Sequence, residues 1–280
     1  MRDVNPACRC NHANAFRKNA KFPLLQRRMP QPISVLPGRK MDIRNRDIAS
    51  FNKINIGCGH DKRPDFLNVD TDPACQPDIL ISDNDYGGLP RRHFAAALAK
   101  DVLEHIPRGD TANVVLEWAD LLSPGGTLEL RTSSLLGIAR LMEQHPNYAD
   151  QANYAAGLFG NQTHAGEFHC TAFTEATLKT QLIAAGFEIA SFELVDHWRF
   201  AVRAIKQTDW TKLAAAAAGE SNRAFVDIAY REILFREPEA FFLEIDLAAL
   251  DGGTYSRRDF VKKLHGCEER RLRVAMKHGL

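Results

Sequence analysis

A short apolar run, Lys53-Ile54-Asn55-Ile56, enters a glycine turn at Gly57-Cys58-Gly59, and eleven residues beyond Gly59 a second apolar run ends on an acid, Asp70. Glycine has no Cβ and tolerates positive φ, so its backbone can approach a ligand closely. A carboxylate at the tip of the neighbouring strand can accept two hydrogen bonds from a ribose diol. Together these features describe a nucleoside-containing ligand lying across the carboxyl ends of a parallel sheet. About ten residues, Gly59 and Pro64 among them, join the strands expected at 53–57 and 66–70. A helical crossover normally needs a dozen or more, so a loop or one short turn is expected there instead.

Further strands are expected at 78–82, 94–99 and 127–132. Residues 111–122 put Val114, Val115, Trp118, Leu121 and Leu122 at helical spacing, and Ser123-Pro124-Gly125-Gly126 is a turn signal. Thr174 and Thr177 are candidate caps of a helix that Gly186 stops. Residues 187–195 and 198–205 read as a closing hairpin. The segment 133–173, rich in His, Asn and Gly, reads as a long irregular insert of the kind that forms a substrate wall. Residues 207–221 read as a linker. Beyond them Phe225, Ile228, Ala229, Ile233 and Leu234, then Phe241, Phe242, Ile245, Leu247 and Leu250, then Phe260, Val261 and Leu264 keep a helical period, broken at Gly252-Gly253. The expected organisation is a tail at 1–40, an α/β domain at 41–206, the linker at 207–221 and a small all-α module at 222–280.

Bulk properties bound the function. A chain of 280 residues holds one large α/β domain plus something smaller. A formal net charge of +1 gives no overall reason to expect nucleic acid as a partner. The six cysteines are scattered, which suits a reducing, cytoplasmic compartment. No apolar run approaches the roughly 20 residues that span a bilayer. The first forty residues carry many Arg and Lys and a single acid, Asp3. They read as a disordered basic tail, or as sequence upstream of a start at Met41. Asp3 and the prolines weaken a targeting role. Cys8, Cys10 and His12 fall short of the four ligands of a closed zinc site, and no metal is expected.

Two cofactor classes compete for the glycine turn. A nicotinamide or flavin site shows G-x-G-x-x-G and then an acid about 20 residues on. Here Lys62 stands at the third glycine position and the acid comes early. Without that glycine a helix cannot pack tightly under a pyrophosphate. S-adenosylmethionine has ribose and adenine but no pyrophosphate, and it escapes that requirement.

The ordered motifs point the same way. They are Asn55-Ile56-Gly57-Cys58-Gly59, Asn68-Val69-Asp70, Val102-Leu103-Glu104-His105-Ile106, Leu121-Leu122-Ser123-Pro124-Gly125-Gly126-Thr127, His169 with Ala172-Phe173-Thr174, and Ala185-Gly186-Phe187. With them, residues 53 to about 206 resemble a class I S-adenosylmethionine-dependent methyltransferase, closest to a bacterial subgroup with a short first loop. The resemblance implies a seven-stranded, mostly parallel Rossmann-like sheet and methyl transfer to an oxygen or nitrogen of a small molecule or glycan. It implies that Gly57 and Gly59 line the methionine end, with Cys58 as filler between them. Asp70, followed by Thr71, would hold the ribose. Asp83 and Asn84 would take the adenine amino group, and Asp101 and Val102 would lie beneath the sulfonium.

A base is needed only where the acceptor must lose a proton. His105 and His169 are the candidates, with His164 beside them and Glu104 and Glu167 weaker, since histidine titrates in the useful range. The chain departs from the subgroup at Arg91-Arg92-His93 and Ala95. That departure motivates a second reading, a non-catalytic methyltransferase-like binding or scaffold protein. The tail has its own likeness. Phe225-Val226, Tyr230, Ile233-Leu234, Arg236-Glu237-Pro238, Gly252-Gly253 and Ser256-Arg257 resemble a short bacterial helical module found in surface-associated proteins and beside glycan-modifying enzymes. The resemblance implies an interaction or substrate-presenting part and a protein partner through it.

Overall fold

In the computed structural model, residues 42–43, 47–82, 84–163, 165–207 and 210–280 are described. The expectations for 1–40, including the trio Cys8, Cys10 and His12, lie outside them, as do Asp83 and His164. One mixed sheet runs through β1 (Asp42–Ile43), β2 (Lys53–Ile56), β3 (Leu67–Asp70), β4 (Ile79–Leu80), β5 (Phe94–Lys100), β6 (Leu122–Ser133), β7 (Phe187–Val195) and β8 (Arg199–Lys206). Its order is β1-β4-β3-β2-β5-β6-β8-β7. Strands β4, β3, β2, β5 and β6 are parallel, while β8 runs antiparallel between β6 and β7. This is the expected seven-stranded, mostly parallel Rossmann-like sheet, extended by the two-residue β1 antiparallel to β4.

Burial explains the pairing. Ile54, Ile56, Leu67, Val69 and Ile79 are almost wholly excluded from water, as strands covered on both faces require. The order reverses between β2 and β5, and crevices for ligands open at the carboxyl ends of the strands at such a point.

The β2–β3 connection contains no helix. Its shape comes from a buried amide network instead. Asn68 Oδ1 accepts from Asn55 Nδ2 at 3.1 Å and from the Arg63 amide at 2.8 Å. Asn68 Nδ2 faces the carbonyls of Arg63 and Phe66 and the Asp78 carboxylate.

The predicted helix at 111–122 is α1 (Thr111–Leu121), which buries Val114, Val115, Trp118 and Leu121. The Ser123-Pro124-Gly125-Gly126 turn is a bulge inside β6, where pairing jumps from Phe94↔Leu122 to Ala96↔Thr127. The insert differs from its irregular reading. It carries α2 (Leu135–Gln144) and α3 (Tyr148–Phe159), capped by Ser134 and Asn147. Helix α3 buries no residue, so it leaves no apolar period in the sequence. The capped helix at Thr174 is α4 (Glu175–Ala184), with Thr174 and Thr177 in a reciprocal box.

The stretch read as a linker carries α5 (Trp210–Ala216). After it come α6 (Asn222–Ala229), a π-helical turn at Tyr230–Leu234, α7 (Ala240–Asp251), α8 (Arg257–Gly266) and α9 (Glu268–His278). Phe225, Val226, Ile233, Phe260, Val261 and Leu264 are buried in the core, whereas Phe241, Phe242 and Ile245 of α7 are exposed. The helices dock on the sheet domain through charge. Asp120 of α1 is buried and meets Arg258 and Lys262 of α8 and Arg91, and Glu117 binds Arg91 at 2.6 Å and also Lys262.

His265 of α8 is buried, with Nδ1 3.0 Å from the Ala184 carbonyl that ends α4. Burial, aided by Arg270, lowers its pKa to about 4. The unfolded chain takes up this proton near pH 6.5, before the folded one does. Stability therefore falls as pH drops from about 6.5 toward 4, because the unfolded state binds more protons across that window. The urea midpoint should decline over this range, and His265→Gln should decline less steeply. An unchanged slope in the variant refutes the assignment.

Candidate functional site

The switch point places a cavity of about 280 Å³ above β2, β3 and β5. Gly57, Asp70, Thr71, Asn84, Val102 and His105, six of the residues singled out in the sequence, line it together. Ile81, Tyr86, Ile106, Phe168 and Cys170 complete much of the wall. Of these, Tyr86 comes directly after Asp83-Asn84-Asp85 in the sequence and is almost wholly buried, a signal the sequence did hold. Phe168 and Cys170 come from the return of the insert, and nothing local marks them.

Gly57 sits at φ +61, and a Cβ there would come within 2.5 Å of Val102 Cγ2. The two strand tips are thus in contact, and only a glycine fits between them. Gly59 also has positive φ, +49, yet a Cβ there would meet nothing within 4 Å. Its amide donates to Asp70 Oδ2 at 2.7 Å, and the Asp72 amide donates to Oδ1 at 2.9 Å. Each carboxylate oxygen spends one lone pair on the backbone and keeps another for a ligand.

Cys58 does not line the cavity. Its side chain is buried, and burial, with Asp70 adding to it, pushes the thiol up to about 12. It is a filler thiol and no nucleophile. Asp101 lies beyond this cavity too, at φ +54, with its carboxylate held by Arg131 across β6. The departures at Arg91, Arg92 and His93 sit at the opposite end of β5. Arg91 binds Glu117, the Arg92 amide binds the Asp120 carbonyl, and His93 Nε2 lies 2.8 Å from the Phe51 carbonyl.

A second chamber, of about 540 Å³, shares His105 and Gly166 with the first. Asp101, Glu104, His169 and Trp198 line it, with α3 as one wall. The rings of His105 and His169 stand edge to face, 4.8 Å apart. His105 Nδ1 lies 3.2 Å from the Phe168 carbonyl, and His169 Nδ1 lies 3.1 Å from that of Gly157. A carbonyl partner places the proton on Nδ1, so each neutral ring keeps its lone pair on Nε2. Burial lowers both pKa values from the ordinary 6.5. Glu104 is buried and accepts from Thr132 Oγ1 at 2.8 Å, and burial raises its carboxyl above the usual range. The two histidines predicted from sequence are therefore neighbours, although 64 residues separate them (169 − 105).

No family model matches the chain, and no curated protein does. Solved structures with a similar fold include an S-adenosylmethionine-dependent methyltransferase from Methanosarcina mazei, 17% identical with TM-score 0.43, covering 57% of this chain and 94% of that one. A second, from Mesorhizobium loti, is 18% identical with TM-score 0.38, covering 57% and 93%. A third is the 1,6-didemethyltoxoflavin-N1-methyltransferase of Burkholderia thailandensis with bound S-adenosylhomocysteine, 16% identical with TM-score 0.37, covering 56% and 71%. The likeness is one of fold alone.

Gly57→Ala and Gly59→Ala separate space from conformation. Both substitutions force an L-residue to positive φ, at a cost of about 1–2 kcal/mol. Gly57→Ala must also push Val102 aside, which adds roughly 1–3 kcal/mol. Chemical denaturation should rank Gly57→Ala as clearly the worse, and equal losses would mean that the Val102 contact is not real.

Proposed function

We propose that this chain is an S-adenosylmethionine-dependent methyltransferase acting on an oxygen or nitrogen of a small molecule or glycan. One observation carries the reading. Asp70 points two partly free carboxylate oxygens into a switch-point cavity whose glycine turn leads into a loop and no helix. A pyrophosphate would want a helix N-terminus there, and Lys62 instead reaches the Gln76 carbonyl. A ribose diol without a diphosphate matches what the residues offer.

When bound, S-adenosylmethionine supplies an electrophilic methyl carbon on a sulfonium. Asp70 accepts the ribose hydroxyls. Ile81, Asn84 and Tyr86 enclose the base. Gly57 and Val102 form the floor under the sulfonium end. His105 stands where cofactor cavity and acceptor chamber meet and takes the acceptor's proton where one must leave. His169 packs against it and fixes its ring. The free thiols of Cys58, Cys75, Cys170 and Cys267 suit a reducing, cytoplasmic setting, and no helix among the described residues is long and apolar enough to cross a membrane.

Calorimetric titration of S-adenosylmethionine should give saturable heat, while NADH gives none. Asp70→Ala should weaken cofactor binding by about 1–3 kcal/mol, the scale of lost hydrogen bonds to a charged group. His105→Ala should lower methyl transfer far more than cofactor affinity. Absence of both heat and thermal shift at millimolar S-adenosylmethionine sinks the reading.

A further inference from the structure

The turn that carries His105 begins at a strained residue. Asp101 follows the last residue of β5 and stands at φ +54. That left-handed shape is unfavourable for an L-residue, and Asp tolerates it best where its short side chain finds a hydrogen-bond partner. Residues of this kind persist only where their surroundings hold them, and they gather at functional sites.

Arg131 of the neighbouring strand β6 holds Asp101 twice. The Asp101 amide donates to the Arg131 carbonyl at 2.8 Å. The Arg131 guanidinium donates back to the Asp101 carboxylate, through Nε at 3.1 Å and through Nη2. Such a two-bond fork fixes direction as well as distance. The side chains are 34% exposed at Arg131 and 40% at Asp101. An ion pair so open to solvent adds little to stability, so the fork matters for its geometry. Arg131 lines neither chamber and borders a separate hollow with Lys100, Glu129 and Arg203.

We propose that Arg131 is a positioning residue: its fork on Asp101 sets the left-handed turn, and that turn aims His105 at the junction of the two chambers. The proposal rests on the methyltransferase reading for its purpose. It adds to that reading a residue that acts through another.

The chain of contacts is short. The bend at Asp101 brings Val102 against Gly57, where an added Cβ would lie 2.5 Å from Val102 Cγ2. A 3-10 turn follows at Leu103–His105. In it the His105 amide donates to the Val102 carbonyl at 3.0 Å, and the Ile106 amide donates to the Leu103 carbonyl at 3.2 Å. The His105 ring then meets His169 edge to face and lies 3.2 Å from the Phe168 carbonyl. A rotation at Asp101 would therefore shift the Val102 floor and the His105 ring together. A misplacement of about 1 Å can slow a reaction about a hundredfold.

The charges around His105 give the sign of the test. Burial lowers its pKa, against the Phe168 carbonyl and the carboxylates of Asp101 and Glu167. The Glu104 carboxylate acts on the neighbouring His169. Without the fork the ring gains water, and Asp101 loses the cation that balances it. Both changes favour the imidazolium, so the pKa of His105 rises.

NMR of the histidine rings in the full chain, without cofactor, reads the alignment. Loss of signals in His105→Gln and His169→Gln assigns the two rings. Arg131→Gln should raise the His105 pKa toward the ordinary value of about 6.5 and weaken the proton–proton contact between the rings. Arg131→Lys keeps the charge but replaces the fork by a point contact, so it should move both readouts the same way by less. Arg231→Gln breaks an exposed ion pair with Glu237 in the helical segment and should move neither. Unmoved titration and ring contact in Arg131→Gln overturn the proposal, and so does an equal change in Arg231→Gln. Should the glutamine variant not fold, an Arg131→Lys chain indistinguishable from the parent overturns it. S-adenosylmethionine titrated into the same samples separates the two claims. Ring signals that move in a chain that takes up no cofactor refute the methyltransferase reading and leave the positioning role standing. Cofactor uptake with unmoved ring signals does the reverse.

Discussion

The buried amide of Asn68 governs what the rest of the molecule can do. It ties β2, β3, β4 and the loop between the first two into one piece, through Asn55, Arg63, Phe66 and Asp78. Asn55 adds a bond to the Asp61 carbonyl at 2.9 Å. A buried amide is costly unless its donors and acceptor are met, and here they all are. The network replaces the helix that a parallel crossover ordinarily carries. It keeps the loop flat, so the Gly59 amide reaches Asp70 and the space above the strand tips stays open. The same economy removes the helix N-terminus that a diphosphate would need. How two strands are joined thus bears directly on the ligand class proposed above.

Much of this was legible from residue order. Alternating and continuous apolar runs mark strands because neighbouring residues face the core together. The short first loop could be counted. Gly57 and Asp70 stand out because few residue types suit a tight strand tip or offer two acceptors there, and both line the first cavity. Other features depend on distance. The second chamber is assembled from Asp101, Glu104 and His105, Ser133, α3 and the turn after it, Gly166, Glu167, His169 and Trp198. No local pattern announces that Arg131 will meet Asp101 or that His169 will stack on His105. Helix α3 was hidden for a simpler reason: with no buried residue it has no apolar face to read. Helix α5 was readable in principle. The alanines at 214–218 have the highest helix propensity of any residue, and reading them as linker undervalued that.

The C-terminal helices bear on the site through what they grip. Helix α1 begins six residues after His105, and α4 begins six residues after His169. The α8 helix holds both. It meets α1 through Arg258 and Lys262 on the buried Asp120, and it meets the end of α4 through His265 on the Ala184 carbonyl. A buried charge with its partners removed is strongly destabilising, so Asp120 makes the docking close to obligatory. The two turns that carry the histidines are therefore braced from behind by the same helix. For the methyl transfer proposed above, exact placement of the reacting groups matters more than strong chemistry does. A helical segment that touches neither chamber can thus govern how well the histidine pair is aligned, by fixing the two helices those turns lead into.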